Sequence, residues 1–266
     1  MAVVVAGVML VARKTVQTSV TETNGGESAA AGPRLPVLVE LFTSEGCSSC
    51  PPADALLSRL EKNQPIPGAE VIALSEHVDY WNRLGWSDPY SSAEFSARQN
   101  EYASAFDTDE VYTPQMIVDG HVQFVGSNES KAQQAIVDSA RDTKSAVTMS
   151  IVSGDERSIT LSVHADLISG MGKGEIADVM LAIAESGLSS NVARGENAGR
   201  VLNHVAVVRK ISTLGEIDSH KGVAFAAQPV VQLGKTWKRD SLKAVAFIQE
   251  RSSRRVLGAA TLPLVK

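Results

Sequence analysis

The sequence predicts an α/β domain over residues 35–143, followed by an antiparallel, all-β, sandwich-like domain over residues 144–266. Three observations predict this. A chain of 266 residues is long enough for about two domains. Its hydrophobic pattern also changes near residue 143, from strand-like runs alternating with helical stripes to short runs of period two. Finally, ten of the thirteen aromatic residues lie between Phe42 and Phe124, leaving only Phe225, Trp237 and Phe247 beyond, so two cores of different character are expected.

Residues 1–34 read as a signal-like or anchor segment and a flexible linker. Ala2–Ala12 is apolar throughout but too short to span a bilayer. It has the look of a signal-peptide core, although Arg13-Lys14 follow it and no basic residue precedes it. Thr15–Gly32 is polar and small, as flexible linkers are. An extracytoplasmic location, periplasmic or secreted, is expected, with the apolar run as leader or membrane anchor.

Residues 37–42 are apolar except for Glu40 and form the first expected strand. Ala53, Leu56, Leu57 and Leu60 recur at helical spacing, which predicts a helix over 51–62. Pro51 and Pro52 fall in its first turn, where a missing N–H matters little. Pro65, Pro67 and Gly68 mark a turn, and Val71–Leu74 a second strand. Strand–helix–strand of this length makes the two strands parallel. The segment Glu76-His77-Val78-Asp79-Tyr80-Trp81 should then emerge at the same sheet edge as Cys47. An irregular stretch with Trp86, Asp88-Pro89 and Tyr90 follows. Ser91 or Ser92 can cap a helix reaching Phe106, with Phe95, Tyr102 and Phe106 on one core-facing stripe. Asp119-Gly120 between two apolar runs predicts a hairpin. Ser127 or Asn128 caps a last helix through about Asp142.

Beyond residue 143, alternation at Val147/Met149/Ile151, Ile159/Leu161/Val163 and Val179/Leu181/Ile183 predicts strands, as do the runs 205–208, 230–233, 244–248 and 256–262. Turns are expected at Gly154-Asp155, Gly170–Gly174 and Gly222. Seven short strands suggest an antiparallel sandwich. Nothing among them spells a nucleophile, a phosphate loop or a metal cluster. The polar, glycine-spaced stretch Arg194–His204 stands apart as a loop, either solvated or laid over the cysteines.

The two cysteines of the chain, Cys47 and Cys50, sit together where the first strand gives way to the first helix. Orphan N–H groups and the helix dipole favour negative charge there, so a thiol in that place ionises readily, and the thiolate is the reactive species. A zinc half-site lacks a second Cys or His pair at ligand spacing. A purely structural disulfide would close a very short loop and gain little chain entropy.

Val39-Glu40-Leu41-Phe42 followed by Cys47-Ser48-Ser49-Cys50-Pro51 resembles the active-site strand and loop of the thioredoxin superfamily, and Thr113-Pro114 resembles its cis-proline segment. The longer strings Leu38–Asp54, His77–Trp81 and Tyr112–Met116 are similar to a family of mostly secreted bacterial proteins catalogued as domain of unknown function 1223, over nearly all of residues 36–266. The resemblance implies an α/β thioredoxin-like fold followed by the all-β sandwich-like domain. It also implies a thiol–disulfide oxidoreductase acting on protein or peptide thiols, with a redox partner protein. Cys47 would be the attacking thiolate, Cys50 the resolving thiol and Glu40 the buried acid behind them. Thr113, Pro114, His77 and Trp81 would face the substrate, and Asp79 and Trp86 lie close enough in sequence to join them.

That chemistry requires no cofactor. The rival readings are a copper metallochaperone using Cys47, Cys50 and His77 as soft ligands, and a non-catalytic binding module whose disulfide is a staple. A net charge of −5 gives a nucleic-acid partner no electrostatic support.

Overall fold

Strand β1 (Leu35–Thr43) lies at the middle of the half of the sheet that carries the cysteines. The computed structural model describes residues 1–3, 34–166, 171–172 and 174–265. Apart from its first residues, the apolar run and linker expected before residue 34 lie outside the described residues, as do Gly170 and Lys173 of the expected turn. Among the described residues, no helix is long and apolar enough to cross a membrane.

After β1 come α1 (Pro51–Asn63), β2 (Ala69–His77), α2 (Ala93–Ala105), β3 (Gln115–Val118), β4 (Val122–Val125) and α3 (Glu129–Ser139). β1 and β2 are parallel, with Thr43 opposite His77 at their shared carboxyl end. The Ser92 and Asn128 side chains cap α2 and α3 by accepting backbone N–H groups of Glu94 and Lys131. β3 and β4 form the expected hairpin, and Asp119 and Gly120 both take positive φ. The turn is also pinned by packing: a Cβ on Gly120 would meet the Arg254 carbonyl oxygen at 1.9 Å. Leu38 N–H and Lys144 Nζ donate to the two oxygens of Asp119, at 2.9 and 2.7 Å.

Ten further strands follow among the described residues, where seven were expected: β5 (Val147–Gly154), β6 (Ser158–Ala165), β7 (Ile176–Glu185), β8 (Leu188–Asn191), β9 (Val201–His204), β10 (Val207–Asp218), β11 (Phe225–Ala227), β12 (Val230–Gln232), β13 (Leu242–Glu250) and β14 (Val256–Pro263). They do not build a separate sandwich. One mixed eight-stranded sheet runs in the order β14-β13-β7-β10-β2-β1-β3-β4. The expected α/β thioredoxin-like fold with a separate all-β domain is therefore corrected: strand makes up 42% and helix 19% of the described residues, and strands from both sides of residue 143 share one sheet.

The join is at β2, whose outer edge β1 leaves open. Val207 of β10 pairs there with Ser75, and Ser75 N–H donates to the Ala206 carbonyl at 2.8 Å. β7 and β13 are central strands buried on both faces, which explains their nearly unbroken apolar runs. Val179, Leu181 and Ile183 face a small sheet in which β5 pairs one edge of β6 while β11 and β12 pair the other. Ala182 and Ala184 face the other way, where they pack with Leu38, Ile72, Leu74, Phe95 and Phe247. Residues from both halves of the chain thus close one core, and residues 31–266 form one compact unit.

Candidate functional site

β1 ends at Thr43, and after the six intervening residues 44–49 the chain turns into α1 through Cys50. Cys50 occupies the N-cap position with helical backbone angles and no side-chain cap, and Pro51 and Pro52 follow it. Cys47 and Cys50 are joined by a disulfide. Ala53 and Asp54 N–H groups donate to the Cys50 carbonyl, so Asp54 lies one turn into α1 from Cys50. The disulfide therefore sits on the positive end of the helix, as the sequence predicted. Both cysteines are fully buried, whereas Ser48 and Ser49 between them are exposed.

Several of the sequence-predicted residues gather here. Cys47 Sγ lies 3.3 Å from Ser49 Oγ and 3.9 Å from the Thr113 carbonyl oxygen. The Thr113–Pro114 peptide is cis. Trp81 Nε1 donates to Thr113 Oγ1 at 2.8 Å, and a Cβ on Gly46 would meet the Trp81 Cβ at 3.1 Å. Trp81 thus packs between the cysteine loop and the Thr113 segment. Asp79 turns away to Ser96, whose hydroxyl donates to its Oδ1 at 2.6 Å.

His77 is buried just behind the loop, with Nδ1 at 2.7 Å from Asp88 Oδ2. That same oxygen accepts the Glu45 N–H at 2.8 Å. Burial pushes the His77 imidazole down, but the Asp88 carboxylate, with Asp54 and Glu45 nearby, carries it above its ordinary value. Asp88 in turn is pushed up by burial yet held below its ordinary value by His77 and by the Glu45 and Tyr90 N–H groups. Glu45 itself is bonded to His204 Nε2 at 3.0 Å and to Trp86 Nε1 at 2.7 Å. The His77 and His204 rings stand edge to face, 4.9 Å between centres. His77 Nε2 and His204 Nδ1 are buried with no hydrogen-bond partner among the described residues.

Glu40 is not brought to the dithiol. Val39 and Leu41 face α1, so alternation points Glu40 to the opposite side of β1. There it accepts Arg98 Nε and NH2 at 2.8 and 2.6 Å, as well as the Tyr102 hydroxyl. Gln249 binds both Arg98 NH1 and the Tyr102 hydroxyl, and Glu76 Oε1 stands 3.4 Å from Arg98 Nε. Nor is His77 set up as a ligand beside two thiols: its Nδ1 is held by Asp88, and no trio of His, Cys, Asp or Glu among the described residues is placed to hold a metal ion.

The glycine-spaced loop lies on the cysteines. Asn197 is buried, and its Nδ2 donates to the carbonyls of Glu45 and Cys47, both at 2.9 Å. Glu196 Oε2 accepts the Ser48 N–H at 3.0 Å. Arg200 NH1 holds Asn197 Oδ1 at 2.8 Å, and His204 at the end of β9 reaches Glu45. We call residues 192–200 the strap. Sequence reasoning missed Glu45, Asp54, Asp88 and Asn197. Asp54 was detectable in principle, because it lies four residues after Cys50 on a helix; the other three depend on contacts across the chain.

Two solved structures share this architecture. A crystal structure of a protein from Agrobacterium tumefaciens matches 89% of this chain and 97% of its own, at 27% identity and a TM-score of 0.66. HBP35 of Porphyromonas gingivalis matches 88% of this chain and 76% of its own, at 13% identity and a TM-score of 0.59, a likeness of fold alone. No curated protein matches the chain. Residues 38–249 match the family described as protein of unknown function (DUF1223), and the chain belongs to that family.

Proposed function

We propose that the protein is a thiol–disulfide oxidoreductase acting on protein or peptide thiols, with Cys47 and Cys50 as its redox couple. The observation that carries the reading is the Cys47–Cys50 disulfide seated at the N-terminus of α1. A thiolate released there is stabilised by the helix end, which makes the bond exchangeable. In the oxidising direction, a substrate thiolate attacks Cys47 Sγ, the Cys47–Cys50 bond breaks and Cys50 leaves as thiolate. A second substrate thiolate then attacks the substrate sulfur of the mixed disulfide and releases Cys47. In the reducing direction, Cys47 thiolate attacks a substrate disulfide and expels one substrate thiolate. Cys50 then attacks Cys47 Sγ, expels the other and restores the Cys47–Cys50 bond. Thr113, Pro114 and Trp81 line the approach to Cys47, and an extracytoplasmic location with a redox partner protein belongs to the same proposal.

The burial of both cysteines favours a rival, a structural staple. The two readings separate in one experiment. With dithiothreitol as reductant and a disulfide-bonded protein as substrate, the parent turns over and Cys47→Ser does not. Cys50→Ser, reduced first and then freed of dithiothreitol before the substrate is added, accumulates a mixed disulfide at Cys47, because no thiol remains to displace the partner. A staple gives no turnover and no trapped substrate, even when both thiols are shown to be reduced.

A further inference from the structure

The exchange reaction moves a proton as well as electrons. When Cys50 attacks Cys47 Sγ it must lose its proton, and when it leaves as thiolate it regains one. Glu40 cannot serve, because it is sealed by Arg98 and Tyr102 on the far face of β1. Glu45 is engaged on both oxygens, by His204 and Trp86.

We propose that Asp54 is the proton carrier for Cys50; this rests on the oxidoreductase reading and names the acid that serves it. Three geometric facts lead there. Asp54 is one helical turn from Cys50, and its N–H is bonded to the Cys50 carbonyl at 3.1 Å, so the two side chains share a helix face. Its carboxylate accepts one hydrogen bond among the described residues, from Thr43 Oγ1 at 2.9 Å, which ties it to the end of β1 beneath the cysteine loop. As a residue it is half-buried, with its carboxyl on the desolvated side beneath the surface. Desolvation raises its carboxyl above the ordinary value against the pull of His77, His204 and Thr43, and Asp88 adds to the rise. A raised acid transfers protons to and from a thiol more readily than an ordinary one does.

The charged and titratable groups around Asp54 come from three segments: His77 at the end of β2, Asp88 in the loop beyond it and His204 at the end of β9. In the resolving step, the Cys50 S–H proton passes to the Asp54 carboxylate while Cys50 Sγ forms its bond to Cys47 Sγ. The bond between Cys47 and the substrate sulfur breaks, and the substrate leaves as thiolate. In the reverse direction, protonated Asp54 returns the proton to departing Cys50.

The test uses the reduced full chain and glutathione disulfide, with formation and resolution of the Cys47–glutathione bond followed separately. For Asp54→Asn, formation should proceed at the parent rate, while resolution slows by about 100-fold near neutral pH. The deficit should shrink as pH rises towards the ordinary thiol value of about 8.5, where Cys50 ionises unaided. Asp54→Glu should recover part of the rate. Equal resolution rates and pH profiles for Asn variant and parent would overturn the assignment while leaving the oxidoreductase reading intact. A parent that forms no mixed disulfide overturns both. If the Asn variant does not fold, carbon-13 NMR of the parent decides: reduction of the disulfide should shift the Asp54 carboxyl titration, and an unchanged titration rejects the proposal.

Discussion

Arg98 is enclosed by two carboxylates, Glu40 and Glu76, in the middle of the protein. One guanidinium balances one negative charge, so the second acid is the weaker partner. Glu76 fills that role. Its oxygens have no hydrogen-bond partner among the described residues, and burial, with Glu40 close by, pushes its carboxyl well above the ordinary value despite Arg98. The sign follows from proton linkage: the folded state holds a proton that the unfolded chain releases above about pH 4.3. Stability therefore falls as pH rises above that point, by up to about 1.4 kcal/mol per pH unit. Glu76→Gln should match the parent in acid and gain on it progressively towards neutral pH, as urea unfolding at several pH values would reveal. A parallel pair of curves would mean that Glu76 is ionised in the fold. The sequence shows Glu40 as the one acid in an otherwise apolar strand; a buried acid has to be neutral or paired, and Glu40 is paired. Its partner lies 58 positions away, a distance over which sequence spacing carries no information.

The helix starts and the β3–β4 turn were readable because their causes are local. Pro51 and Pro52, the Ser92 and Asn128 caps and the Asp119-Gly120 pair each act within a few residues. Strand partners were not readable, because period-two alternation reports faces and not neighbours. The strap lies between these cases: its glycines and polar residues mark a loop, yet only the folded chain shows Asn197 bridging two carbonyls of the cysteine loop. Asn197→Ala should loosen it. Two buried acceptors would lose their donor, a loss of about 1–3 kcal/mol. The Cys47–Cys50 bond should then be reduced by a phosphine reductant about tenfold faster, the equivalent of about 1.4 kcal/mol in strap docking. Glu196→Ala, which removes a more exposed contact, should change the rate much less. Equal reduction rates for the Asn197 variant and the parent would show that the strap does not guard the disulfide.

The junction between β2 and β10 makes the chain one folding unit. Leu38, Ile72, Leu74 and Phe95 share one core cluster with Ala182 and Ala184 of β7, Val208 and Ile211 of β10 and Val245 and Phe247 of β13. A fragment of residues 34–143 should consequently lack a cooperative thermal transition, while the full chain melts with one. A fragment with its own sharp calorimetric transition would show that the first α/β segment is self-sufficient after all. The change in hydrophobic pattern near residue 143 was real, but it marks a change in the kind of strand supplied, not a boundary between cores. Aromatic residues crowd the first segment because its side of the sheet is covered by helices. Val, Ile and Ala dominate the second because its strands pack against another sheet.

Asn197 and Glu196 lie 150 and 148 positions downstream of the cysteine-loop residues they hold. On the ribosome that separation is a delay. At about 5–20 residues per second, the strap is made on the order of ten seconds after the cysteines. For that interval the two thiols belong to a nascent chain that still lacks its strap, within reach of an oxidant or thiol that the strap would later exclude. The first oxidation of the pair can thus take place before the loop that shields it has been translated.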